Sequence, residues 1–252
     1  MPRGSVVAVL VLLTLGGCAS GGTGTALARA LPTGPNGAST VADPARVLDA
    51  AVDRTWQTTL TVTLSDPGGS GMTGVYSGPT GASSLADSTD PAGLKVIDTP
   101  TEMYLSGTPE YQGKTVRLAI AKLRSTSPLA LFADPVAAFT LLGAATTVSA
   151  PGPGVLVGTL DLTKVEAHGD GPRKFVEYLV ATGGGRARAV DFSAAVDGQG
   201  YLTDFQATFP GIEDGDDGSY IVKLSDFGRP VTVPVPSGRS VLPLPDSAYQ
   251  TM

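Results

Sequence analysis

Between residues 59 and 64 the chain alternates strictly, with Thr59, Thr61 and Thr63 set against Leu60, Val62 and Leu64. That is the period-two pattern of a strand with one wet and one dry face. Weaker versions recur at Met72 to Ser77, Ala82 to Ala86, Leu94 to Asp98 and Glu102 to Leu105, and again through Val116, Leu118 and Ile120 and through Val155 and Val157. The clearest pair is Arg186 to Val196 with Tyr201 to Phe209, joined by the turn residues Asp197, Gly198, Gln199 and Gly200, and it predicts a hairpin. Tyr220, Val222 and Leu224 close the series, while Asp66 to Gly71 and Pro151 to Gly154 read as breaks. Three stretches follow helical spacing instead. Leu48, Ala51, Val52 and Trp56 follow Asp43-Pro44; Val136, Phe139 and Leu142 follow Asp134-Pro135 and stop at Gly143; Phe175, Val176 and Leu179 follow Gly171-Pro172 and stop at Gly183 to Gly185. A capping residue before a proline starts a helix well, because the missing proline N–H has no partner to lose there. About nine antiparallel strands with three inserted helices predict one α+β domain over residues 43–238. The expected form is a curved antiparallel sheet, a half-barrel, with the helices packed on its concave face. Residues 239–252 contain prolines and no periodicity, so no element is predicted there.

Ahead of the domain, Arg3 precedes an apolar run from Val6 to Leu15, and Gly16, Gly17 and Cys18 follow. A short cationic start, about ten apolar residues and then small residues is the layout of an export signal. A membrane-spanning helix needs about 20 apolar residues, and this run stops short of that. Cys18 is the sole cysteine of the 252 residues. Leu15 to Cys18 resembles the lipobox of bacterial lipoproteins, which implies cleavage before Cys18, a diacylglyceryl group on its sulfur and often a further acyl group (palmitate or similar) on the new amino terminus. Residues 1–17 are therefore expected to be a lipoprotein signal peptide. The expected location is the outer face of the cell membrane, with two or more acyl chains contributing on the order of 20 kcal/mol of gross anchoring energy. Residues 18–42 are Gly, Ser, Thr, Ala and Pro with almost no large apolar side chains. Such a segment cannot bury enough surface to offset its ordering entropy and is expected to act as a tether.

Charge and cysteine count narrow the function classes. The chain has 17 basic and 23 acidic side chains, a net of -6, and loss of residues 1–17 removes Arg3 and no acid. No stretch is basic enough to follow a phosphate backbone, so nucleic acid is not an expected partner. With Cys18 acylated no thiol is left for a disulfide or a zinc-thiolate site. Gly107 to Thr115 has a phosphate-loop flavour, but five residues separate its glycines where four are needed, and the next residues alternate like a strand. Glu213, Asp214, Asp216 and Asp217 lack the third ligand and closing glutamate of a calcium loop, with Gly218 where a ligand should stand. His168, the single histidine, sits beside Asp170 in a predicted surface loop. The chain has neither a Gly-x-Ser-x-Gly elbow nor a Ser-x-x-Lys pair. No catalytic residue, metal or cofactor is expected.

Tyr220 to Pro236 (YIVKLSDFGRPVTVPVP) resembles the end of the LppX/LprAFG family of mycobacterial-type lipoproteins, in which a last strand leads into a Ser-Asp-aromatic-Gly turn and a Pro-Val-Thr-Val segment. The order of parts is similar too, from lipobox and tether through one amphipathic helix, strands, a central Asp-Pro helix region and long strands. The resemblance implies a half-barrel like that of the LolA-type carriers, with an apolar cavity that binds or shuttles envelope lipids or lipoglycans. Leu60, Val62, Phe192, Phe205 and Tyr220 are the candidate lining residues, although the same alternation fills a solid core equally well. The alternative is a lipid-anchored, non-enzymatic interaction or sensor module with a filled core and an envelope protein partner. Replacing Cys18 by alanine is expected to abolish metabolic labelling with a fatty acid; persistent labelling of that variant excludes the anchor.

Overall fold

The stretch with the strictest alternation forms β1 (Thr59–Ser65), and burial follows the sequence: Leu60 and Val62 are fully covered while the threonines between them are partly exposed. The computed structural model describes residues 43–65, 71–107, 113–213 and 215–250. The signal segment, Cys18 and the tether lie outside the described residues, as do the turn at 66–70, the centre of the 107–115 stretch and Asp214.

From β1 the chain meanders through β2 (Gly71–Ser77), β3 (Ala82–Asp87), β4 (Lys95–Asp98), β5 (Glu102–Ser106) and β6 (Thr115–Ala119). A second meander runs through β7 (Ala145–Gly152), β8 (Val155–Leu160), β9 (Val190–Val196), β10 (Leu202–Glu213) and β11 (Asp216–Ser225). Pairing of β1 with β11 joins the two, and with β12 (Val241–Pro243) they form one open sheet of twelve strands, in the order β12-β6-β5-β4-β3-β2-β1-β11-β10-β9-β8-β7. All pairs are antiparallel except that of β12 with β6. The class is α+β.

Register carries one apolar face across the strands. Leu60 lies opposite Tyr76, Val62 opposite Leu224, Phe205 opposite Val222, and Ala207 opposite both Phe192 and Tyr220. Because side chains alternate with period two, residues paired in this way share a face. Three α-helices are present among the described residues, α1 (Pro44–Trp56), α2 (Ala137–Leu142) and α3 (Asp170–Gly183). Their buried Leu48, Phe139, Leu141, Phe175 and Leu179 belong to the same core as the dry face of the sheet.

Asp43 caps α1 as its sequence predicts, its carboxylate accepting the Ala45 N–H at 3.1 Å. The helix is rotated from the expected face, however. Thr55 is fully buried and Trp56 is 38% exposed, because the Thr55 hydroxyl donates to Ala51 O at 2.6 Å and accepts from the Leu202 N–H at 2.9 Å, tying α1 to the start of β10. Asp134-Pro135 does not open a long helix; a 3₁₀ turn over Pro128–Phe132 comes first and α2 begins only at Ala137. Residues 186–189 are not strand. Gly184 has φ 53° and starts a 3₁₀ turn to Arg188, which carries the chain from the helix layer back to the sheet, so β9 begins at Val190. Strand β7 leaves no pattern in the sequence because it is an edge strand with no fully buried residue, and a strand wet on both sides has no need to alternate.

The Ser225-Asp226-Phe227-Gly228 turn is a corner. Asp226 adopts φ 53°, a region that aspartate tolerates better than most residues, and its carboxylate accepts the Thr61 hydroxyl at 2.9 Å. The Gly228 N–H donates to Thr59 O at 2.8 Å. Phe227 stacks on Tyr201 with centroids 4.5 Å apart, and the Arg54 guanidinium covers the same tyrosine at 4.7 Å.

The segment after residue 238, for which the sequence predicts nothing, extends the fold. β12 pairs with β6, Tyr249 is buried, and its hydroxyl accepts the Ala119 N–H at 2.7 Å. Tyr249→Phe is expected to cost about 1–2 kcal/mol in urea unfolding, since it leaves that backbone donor unpaired. A loose tail would give a change below about 0.5 kcal/mol.

Candidate functional site

Trp56 ends α1 at the boundary between the helix layer and the sheet. Its ring stands edge-on to Phe139 at 5.8 Å and tilted to Tyr76 at 6.3 Å. Beside it lies a cavity of about 170 Å³. The floor is supplied by the sheet: Tyr76 of β2 pairs with Ser83 of β3, and Ser83 with Asp98 of β4, so three adjacent strands set these side chains in a row on the dry face. The opposite wall is the strap Ala133 to Val136 before α2, with His168 and Gly171 from the approach to α3. A Cβ at Gly171 would lie 2.1 Å from Ala133 O, so only glycine lets α3 start so close to the strap.

Two carboxyl groups are buried here, and both Asp98 and Asp134 are only 3% exposed. Ser83 Oγ donates to Asp98 Oδ2 at 3.2 Å, whereas Asp98 Oδ1 has no hydrogen-bond partner among the described residues. Burial pushes the Asp98 carboxyl well above the usual carboxylate range, against the Ser83 hydrogen bond and with the help of the nearby Asp134 charge. Asp134 accepts the Thr140 hydroxyl at 3.1 Å. Burial lifts it to about 6, opposed by the Thr140 and Val136 hydrogen bonds. The Tyr76 and Tyr220 hydroxyls are buried and likewise unpartnered among the described residues. Burial first, and the Asp134 charge second, hold both phenols neutral far into alkali.

A more open groove of about 240 Å³ adjoins this cavity, lined by Val52, Asp53, Phe139, Gly143 and Glu166 together with Trp56 and His168, which face both. Trp56 and His168 thus stand between an inner chamber and an outer groove. Among the described residues no lysine or arginine lines either one. The chamber offers apolar surface, two carboxyls and a phenol, which suits binding of a small group. Among the described residues no three His, Cys, Asp or Glu side chains gather as metal ligands.

The five residues considered for a lipid cavity are packed in the core. Leu60, Val62 and Phe205 are fully buried, Phe192 and Tyr220 nearly so. Phe192 stacks on Phe205 at 6.5 Å, and Tyr220 sits 5.7 Å from Phe175 and 6.0 Å from Phe209. None of the five lines the chamber. In the acidic turn Asp217 pairs with Arg186 at 2.7 Å. His168 is exposed on its loop, at the rim of the chamber. The sequence hides the chamber acids, because Asp98 reads there as a strand end and Asp134 as a cap. One signal does exist, since Asp98 falls in phase with Val96 on the dry side of β4.

No protein-family model matches the chain, and no curated protein matches it. Among solved structures, an uncharacterized conserved protein from Thermus thermophilus is similar at a TM-score of 0.40 and 12% identity, over 79% of this chain and 98% of its own.

The raised Asp134 pKa has a definite sign. The folded state holds this proton more tightly than the unfolded chain, so the stabilisation is complete below pH 3.8 and is lost as pH rises through about 6. Asp134→Asn, measured against the wild type, is expected to become relatively more stable by about 2 kcal/mol between pH 4 and 7.5, with a further contribution of the same sign from Asp98, whose pKa the Asp134 charge also raises. A stability difference that is flat with pH would show that Asp134 is not buried as described.

Proposed function

We propose that this protein is a lipid-anchored, extracytoplasmic binding protein of the LppX/LprAFG type, with no catalytic role, and that its ligand occupies the cleft around Trp56. The observation that carries the reading is the chamber itself, with Asp98 Oδ1 and the Tyr76 hydroxyl buried in its wall and unpartnered among the described residues. Buried polar groups without partners are costly, and a ligand that supplies partners recovers that cost. The lipobox-like Leu15 to Cys18 and the tether support attachment to the outer face of the membrane. Helices sharing one core with one face of a large antiparallel sheet support the half-barrel, with the helices on its concave side.

Volume sets the terms of binding. A cavity of about 150 Å³ holds one benzene, so a chamber of about 170 Å³ accepts a ring or a few methylenes. In this reading an envelope amphiphile inserts one end past Trp56 and lays the remainder along the outer groove, and a longer acyl chain requires α1 and α2 to move off the sheet. The close packing of Leu60, Val62, Phe192, Phe205 and Tyr220 favours the second reading, a filled-core module that recruits an envelope protein.

Trp56 is the sole tryptophan of the chain, so its fluorescence reports on the cleft without interference. Protein purified from a lipid-rich host is expected to carry an organic-soluble ligand in native mass spectrometry, and its removal should shift the emission of Trp56. A single apo mass, together with emission that no added fatty acid or phospholipid alters, supports the filled-core module instead.

A further inference from the structure

We propose that the group the chamber recognises is a protonated amine attached to a small apolar body, with the ammonium held by Asp98 and Asp134 and the apolar part set against Trp56 and Tyr76. This rests on the cleft being the ligand site and specifies the chemistry of its occupant.

Charge decides first. The ionisable side chains in the chamber wall are Asp98, Asp134, Tyr76 and His168, and those on the groove are Asp53 and Glu166 with the shared His168. With no lysine or arginine in either lining among the described residues, a phosphate or carboxylate would meet two buried acids, and its one basic neighbour would be His168 at the exposed rim. A cation meets two carboxyls, one of which has an oxygen, Asp98 Oδ1, without a hydrogen-bond partner among the described residues. The aromatic walls agree. Trp56 and Tyr76, 6.3 Å apart and inclined at 50°, both line the chamber, and desolvated aromatic rings attract ammonium groups. Neutral apolar molecules would gain the contact area but leave Asp98 Oδ1 and the Tyr76 hydroxyl as they are.

Occupancy by an amine has a proton signature. Burial raises the Asp98 carboxyl well above its ordinary range, and an ammonium placed beside it favours the carboxylate, so amine binding lowers that pKa and releases protons across the range in which Asp98 titrates.

Benzylamine, benzyl alcohol and benzoate share one ring and differ in charge, and their binding to the purified protein is read by Trp56 fluorescence and by calorimetry in buffers of different ionisation enthalpy. Benzylamine is expected to bind at least about tenfold more tightly than benzyl alcohol, with benzoate weakest, and to release protons in the pH range where Asp98 titrates. Asp98→Asn is expected to cut the preference for the amine over the alcohol to below about threefold and to abolish the proton release. Should that variant fail to fold, the proton release of the wild type decides the question without it.

Equal affinity for amine and alcohol, tighter binding of benzoate, or absence of proton release at every pH tested overturns the amine assignment and leaves the cleft as a ligand site. Absence of a saturable response to all three overturns the cleft itself. Competition against benzylamine by short-chain phosphatidylethanolamine locates the amine on a lipid headgroup, and lack of competition assigns it to a free molecule; both support the amine. Competition by phosphatidylglycerol of the same chain length overturns it.

Discussion

A sheet that is apolar on one side only has to be roofed, and here the roof is small for the floor. Twelve strands present a dry face that runs from β6 to β8, and the described cover consists of three helices, one of them only six residues long, with a few 3₁₀ turns. Burial of that face is the main favourable term, at about 25 cal/mol per Å², and everything else in the domain is arranged around it. The β1–β11 pairing makes one floor of two meanders. The Ser225 to Gly228 corner pins the end of β11 to β1 through Asp226 and Gly228. The Thr55 hydroxyl fixes α1 over β10. The chamber beside Trp56 opens where α1 ends.

That chamber is polar for a reason of position. Tyr76, Ser83 and Asp98 occupy core-facing sites of β2, β3 and β4, where apolar side chains would have closed the sheet surface more cheaply. Burying an acid with one oxygen unpartnered raises its pKa and weakens the native state above that pKa. Asp134 adds a second acid from the facing strap. Two buried acids lining one largely apolar chamber is an arrangement that stability alone would select against, and displaced pKa values of this kind gather at functional sites.

The five candidate residues for a lipid wall teach the complementary lesson. Leu60, Val62, Phe192, Phe205 and Tyr220 alternate as a cavity wall would, yet Phe192 stacks on Phe205 and Tyr220 nests between Phe175 and Phe209. Filling or hollowing a sheet–helix interface depends on how the opposing helix is seated. Period-two alternation reports only which side is dry.

The chain's periodicity is enough to place most strands and the three helices, because a dry face and a wet face leave their period in any single strand or helix. Composition also establishes the net negative charge and the single cysteine. Three things need the folded chain. Edge strand β7 and the late strand β12 have no full dry face, so their sequences carry no period to read. The 184–188 turn depends on where α3 releases the chain over the sheet. The chamber depends on side chains from β2, β3, β4, the strap before α2 and the start of α3, which lie up to about a hundred residues apart and meet only through register and helix placement. Asp98 shows the divide within one residue: its phase with Val96 marks it as facing inward, but whether an inward acid is paired, solvated or left open to a ligand is decided by what the rest of the chain sets opposite it.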